Sequence, residues 1–369
     1  MTTAYVPELP APPGRRPAPG RRLLRGATWL SLRQDRTTLL MAGAAVVLLC
    51  GWMLFLGGRI QDFVTSEHIQ GCNLLDFPPQ CEGSTDKVTA LNEHWSVAVR
   101  VTGWLLVVLP VAFGAFFAAP MLAREFETGT YTLAWTQSVS RRRWLAARLG
   151  VPLLITSVGS SLLAAVATWW TRVVEGRFDV PGYYHWFTWM SRMASGPSFV
   201  GFCLLSVALG AAVGLVVRRV VASIVVTAVL TLALRFAVDA GRYAFAPVQE
   251  VFAHVTMAAP VPGGGTGMGP TEHLPTNGPL DSDVVANGLL TGDGLRIPLQ
   301  NDWLGRLTDG TWKCPTPECL AHRETITQMY TSYHPRADEW VMHWTQTGLS
   351  LTATTALVGF CLLRVHRAR

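Results

Sequence analysis

Six stretches of the chain are apolar for long enough to cross a bilayer, and the polar segments between them differ greatly in length and charge. About 20 apolar residues span the hydrocarbon core as a helix. The pattern predicts spans over residues 37–58, 95–119, 149–171, 197–217, 220–238 and 344–363. No residue between Arg100 and Arg124, or between Arg148 and Arg172, is charged. Pro110 lies inside the second run, where a missing N–H and a ring clash kink a helix. Arg235 interrupts the fifth run and stands four residues before Asp239. That spacing permits an intramembrane pair on one helix face. The competing reading leaves both side chains at headgroup level.

The fold class that follows is an all-α polytopic membrane protein, with six transmembrane helices and a large extracellular region between spans five and six. Residues 1–36 form a Pro-, Gly- and Arg-rich tail and a lead-in segment. Within it, LLRGATWLSLRQDR reads either as an interfacial amphipathic helix or as the basic flank of span one. Residues 37–239 hold spans one to five and the polar connection 120–148. Residues 240–343 form the outer segment, and 344–369 the sixth span and C-terminus. In the outer segment, 244–260 is apolar enough for a short or re-entrant helix. Residues 263–279 read as a flexible linker, and 280–342 as a small cap.

Charge orients the chain. Only 15% of the 369 residues are charged, against about 25% in soluble domains. With both termini on one side, that side collects 17 Lys and Arg against four acids, and the other side 13 against 20. Basic short loops mark the cytoplasmic face, so both termini are expected in the cytoplasm. The net charge of +6, distributed in this way, orients membrane spans and does not suggest a nucleic-acid partner.

Cys50, Cys203 and Cys361 fall within apolar runs and read as small apolar side chains. Cys72 with Cys81, and Cys314 with Cys319, are local pairs in loops expected outside, where disulfides persist. Half of a zinc site completed by His322 and His334 is the alternative for a C-x4-C pair.

Catalytic signatures are missing from the sequence. The glycine-rich GGGTGMGPT stretch has no P-loop lysine, follows no predicted strand and lies on the expected outer side. No metalloprotease, hydrolase or Walker motif occurs, and spans one to four carry no acidic residue between their charged flanks. The expectation is no catalytic, cofactor or metal site, and no enzyme activity, in this chain. Any ATP that drives it is bound elsewhere.

The connection from Pro120 to Arg148, PMLAREFETGTYTLAWTQSVSRRRWLAAR, is the longest basic segment between two apolar runs. Gly129 and Thr130 are placed to end the helix leaving span two. Ser138 or Ser140 is placed to cap the next, and Arg141, Arg142 and Arg143 to anchor span three. The pattern over 124–145 resembles the loop between spans two and three of ABC transporter permeases of the type-2 exporter class. That loop reads acid, two variable residues, Gly-Thr, an apolar stretch and a Val-Ser-Arg-like element. Here the acid spacing is offset, and Ser138 stands where a proline is usual. The resemblance implies a permease subunit in a bacterial plasma membrane, multi-pass, working as a homo- or heterodimer. It implies a separate cytoplasmic ABC ATPase that holds ATP and magnesium. It makes Glu125 and Glu127 contacts to that ATPase, Gly129 and Thr130 the bend, and Arg141, Arg142 and Arg143 the anchor. The alternative is a membrane receptor or assembly scaffold that binds a ligand or partner through 240–343.

Overall fold

The computed structural model describes residues 36–72, 81, 83–129, 140–178, 188–257, 268–270, 282–299, 321–322 and 325–367. Six of its helices are long and apolar enough to cross a membrane. They are α1 (Arg36–Ser66), α2 (Thr85–Ala112) with its continuation α3 (Ala119–Glu127), α4 (Arg141–Val174), α6 (Gly196–Val217), α7 (Val220–Ala240) and α8 (Glu339–Arg367). A short helix α5 (Trp189–Ala194) precedes α6. The helices overrun the predicted spans: α2 begins at Thr85 and α4 ends at Val174.

Burial places α6 and span two at the centre of the bundle. The most apolar stretch of α6 is 72% buried and that of span two 67%, against 22% for α1, α7 and α8. The uncovered faces carry Leu48, Val221, Phe236 and Trp344, side chains suited to lipid contact. Trp170, Phe178 and Phe199 fill the larger core cluster together with Met53, Leu56 and Ile60 of α1. Apolar packing does not by itself hold helices together in lipid, so close backbone approach and polar contacts carry the association. Trp52 Nε1, for example, donates to Thr102 Oγ1 at 3.0 Å between α1 and α2.

The region between spans five and six departs from the all-helical expectation. It contains a five-stranded antiparallel sheet in the order β2-β1-β5-β3-β4. The strands are β1 (Gln249–Met257), β2 (Met268–Pro270), β3 (Asp283–Thr291), β4 (Arg296–Leu299) and β5 (Ile326–His334). The re-entrant helix expected over 244–260 is therefore replaced by β1. Its alternation is the reason: Ala253 is buried while Phe252 and His254 are exposed, the period of two that a half-buried strand requires. The linker expected over 263–279 lies outside the described residues except for β2.

Ion pairs clamp the sheet and its flanks onto one end of the bundle. Arg242, just past α7, reaches Asp283 at 3.3 Å. Arg172 of α4 reaches Glu339 at 3.0 Å, and Arg336 reaches Glu175 at 2.9 Å. At the same end a disulfide joins Cys72 and Cys81. Cys314 and Cys319 lie outside the described residues.

Candidate functional site at the 120–148 connection

The second span is not a uniform α-helix. Pro110 supplies no N–H, and three residues later the helix widens into a π-turn, Phe113–Ala118. Ala119 N–H bonds back to the Gly114 carbonyl, the five-residue step of that geometry. The kink expected at Pro110 thus takes the form of a widened turn. This turn lies directly on α6. A Cβ on Gly114 would stand 2.6 Å from the Ser206 carbonyl oxygen, and one on Gly210 would collide with the Gly114 carbonyl. A Cβ on Gly214 would meet the Ala119 carbonyl oxygen at 2.6 Å. Gly210 and Gly214, four residues apart, form the small-residue face that lets two membrane helices touch backbone to backbone.

That contact continues along α3, which packs on α6 and α7. Its inner side, Ala119, Leu122 and Ala123, is buried. Leu122 joins Leu145 and Leu149 of α4, Ala211, Ala212 and Leu215 of α6, and Cys361 and Val365 of α8 in one apolar cluster. The polar side of α3 is satisfied within the chain. Glu125 Oε1 accepts from Arg148 Nε at 2.7 Å and from Nη2 at 2.5 Å, with both side chains largely buried. Glu127 Oε2 accepts the backbone N–H of Val220, the first residue of α7, at 2.9 Å. Arg219 occupies the N-cap position of α7 without a side-chain cap, so Glu127 caps that helix from 93 residues away. A carboxylate also suits the positive end of a helix dipole. Between the two acids, the Phe126 ring faces the Arg218 guanidinium at 5.5 Å. Arg218 is itself in the left-handed region, φ 57°, where it ends α6 and makes the tight turn into α7.

The helix stops where the sequence expects. Gly129 adopts φ +70°, a conformation that costs glycine little and other residues more. Thr128 folds its hydroxyl back onto the Arg124 carbonyl at 2.8 Å. Thr130 lies outside the described residues. Ser140 takes the N-cap position of α4 but makes no side-chain cap bond. Arg141, Arg142 and Arg143 form the first turn of that helix, and their side chains lie outside the described residues. Both acids expected to contact a partner also reach the chain's own spans three and five, and Glu127 remains exposed. The signal that missed this was distance: neither Arg148 nor Val220 is a sequence neighbour within helical reach.

Of the two readings for Arg235 and Asp239, no direct pair between them is found among the described residues. Asp239 Oδ1 accepts from Arg192 Nη2 at 2.6 Å, and its Oδ2 lies 3.9 Å from Arg242. Arg235 stacks instead over the Phe202 ring at 4.7 Å. The reason is competition. Arg192 is buried on α5 and pointed at the carboxylate, so it takes the acid ahead of the residue one turn back. Burial lowers the Arg192 pKa, and the neighbouring Arg242 charge adds to that, while Asp239 partly offsets both. His334, offered as a metal ligand, is buried on β5 beside Asp338. Among the described residues no group of His, Cys, Asp or Glu is arranged to hold a metal.

A bundle of six membrane-length helices built around a glycine-lined helix defines a polytopic membrane protein. A family model described as "ABC-2 membrane transporter related" matches residues 43–242, which is more than half of the chain, and the chain belongs to that family. It is an ABC-2 type permease subunit, a membrane-embedded transport component. Membership implies an ABC ATPase partner and often dimerisation. No curated protein and no solved structure matches it.

Proposed function

We propose that this chain forms the transmembrane half of an ATP-driven exporter in a bacterial plasma membrane, with both termini in the cytoplasm. A separate ATPase subunit, carrying ATP and magnesium, docks on the 128–143 stretch. Two permease chains, identical or paired with a relative, enclose the pathway. Closure of the ATPase pair pushes on the connection and shifts the spans between inward- and outward-facing states.

The observation that supports this reading is the double tie of α3. Through Glu125 to Arg148 and Glu127 to Val220, one nine-residue helix grips the starts of spans three and five. It also continues span two through the π-turn. A push delivered there reaches three spans at once. Glu125 and Glu127 act in this scheme as positioning residues that transmit movement, and the ATPase meets the polar stretch beyond them.

The test is affinity purification of the tagged protein from its native membrane in mild detergent, with mass spectrometry and an ATPase assay. A stoichiometric nucleotide-binding subunit, lost when residues 130–139 are replaced by a Gly-Ser linker, is the expected result. A well-folded preparation that never brings down an ATPase overturns the proposal.

A further inference from the structure

We infer that span five carries a binding track for the anionic group of an amphipathic molecule, with Arg235 as its cation. This inference rests on the transport reading above and names the class of substrate that such a pathway accepts.

Ser223, Thr227, Thr231 and Arg235 recur at every fourth position of α7, which places them on one helix face. They are the four buried residues of that helix, and its other faces are apolar and largely uncovered. From Ser223 to Arg235 the stripe rises about 18 Å at 1.5 Å per residue, more than half of a hydrocarbon core of roughly 30 Å. It faces the interior, where α7 packs against α6, α3 and the π-turn of span two.

Two features separate this stripe from ordinary helix packing. The first is the behaviour of its threonines. In a helix a buried hydroxyl normally donates to the carbonyl four residues back, as Thr347 and Thr354 of α8 do at 2.7 Å. The hydroxyls of Thr227 and Thr231 are fully buried and have no partner. An unsatisfied buried hydroxyl is destabilising, and two of them stand in line below Arg235. The second is the charge on Arg235. It is 8% exposed, and among the described residues no carboxylate lies within 4.0 Å of it. Asp239 is held by Arg192 and Arg242, and Asp283 is also held by Arg242. Among the described residues, Arg192 and Arg242 thus occupy both Asp239 and Asp283, the carboxylates nearest Arg235 along this side of α7. A buried cation without its own anion is costly inside a membrane and marks a functional position.

An incoming carboxylate or phosphate satisfies all of these groups. The guanidinium offers paired donors to such an anion. The threonine hydroxyls donate to its oxygens as it travels along the stripe. Phe202, already against the guanidinium, provides an apolar wall for the rest of the molecule. The track is closed in this conformation, because both hydroxyls are shielded. It opens where span five parts from the π-turn, a movement that the Glu127 tie at the foot of α7 is placed to drive.

The test uses the full-length protein in phosphatidylcholine nanodiscs, titrated with the fluorescent fatty acid cis-parinarate and with its methyl ester. Empty discs give the partition baseline. The acid is expected to bind at least about tenfold more tightly than the ester. Arg235→Gln removes that difference, Arg235→Lys keeps part of it, and Thr227→Val with Thr231→Val weakens acid binding by about threefold or more. Equal binding of acid and ester, or unchanged acid binding in the double valine variant, overturns the inference. The valine pair is nearly isosteric and decides the matter alone if Arg235→Gln does not fold. Adding phosphatidylglycerol separates the two sources of such an anion. Displacement of the probe makes a membrane lipid headgroup the occupant, and persistence makes it a free amphiphile. ATPase co-purification is read independently on the wild-type protein, so failure of the anion site leaves the permease reading standing.

Discussion

Glu127 closes the amino end of span five: its Oε2 accepts the Val220 N–H at 2.9 Å across 93 residues of sequence. Helix caps contribute about 1 kcal/mol, so Glu127→Ala is expected to fray the first turn of α7 while the bundle stays folded. Hydrogen–deuterium exchange should rise by about fivefold over residues 220–223, the equivalent of that energy, and stay unchanged over α6. Unaltered exchange at 220–223 would show that the cap contributes nothing.

Glu125 and Arg148 form the other tie, and both are mostly buried. Removing one partner of such a pair leaves a stranded charge and costs about 3–5 kcal/mol. Arg148→Met alone is expected to lower the melting temperature of the detergent-solubilised protein by several degrees. The double change Glu125→Met with Arg148→Met should recover most of that loss. A double variant no better than the sum of the singles would remove the pair from the account.

The contact between Gly114 and Gly210 predicts a steric outcome. A methyl group at Gly210 points at the Gly114 carbonyl, and backbone cannot swing aside as a side chain does. Gly210→Ala is expected to separate span two from span four and cost about 1–3 kcal/mol, the range for overpacking. Gly159→Ala, which meets only a Val46 methyl at 3.7 Å, should be tolerated and serves as the control in the same thermal assay.

On the sheet, Glu250 of β1 is bound by Arg296 of β4 at 2.7 Å and 3.0 Å and by the Ser332 hydroxyl at 3.2 Å. The Arg296 hydrogen bonds hold its carboxyl below the ordinary value of 4.5. A carboxyl depressed on folding stabilises the fold above its unfolded value and loses that contribution as the pH falls through the folded one. Acidification from pH 7 to below 4.5 should therefore weaken the sheet in the wild type, and less so in Glu250→Gln. The difference will be small because the pair is exposed. Melting curves at the two pH values, variant against wild type, test the sign.

The Cys72–Cys81 disulfide closes a loop of nine residues in sequence, and both sulfurs are buried. Loops of that size are stabilised by about 2–3 kcal/mol. Cys72→Ser with Cys81→Ser should lower the melting temperature, while adding reductant to the native fold without denaturant should act slowly. Rapid reduction would show the disulfide to be more accessible than the burial of Cys72 and Cys81 indicates.

Much of this protein was legible in its hydrophobic pattern. Six apolar runs, the stop at Gly129 and the Cys72–Cys81 pair depend on local composition or short spacing, and each is found in place. The polar face Ser223–Thr227–Thr231–Arg235 was equally readable at a spacing of four, yet an apolar run draws attention to its length and away from its exceptions. Other features were decided only by tertiary contact. The in-chain ties of Glu125 and Glu127 were not legible, because Arg148 and Val220 come within reach only when the π-turn settles on the glycines of span four. Asp239 read either as a partner for Arg235 or as a headgroup-level side chain, because sequence spacing counts neighbours along one helix and gives no weight to Arg192 approaching from another. The segment after span five read as helix because its apolar content is high, while its period of two becomes decisive only when β5 arrives to pair with β1. Hydrophobic runs are specified by water and lipid, which every residue meets directly, and so they are written locally. Ion pairs, caps and strand partners require two distant groups to arrive at the same place, and only the folded chain brings them there.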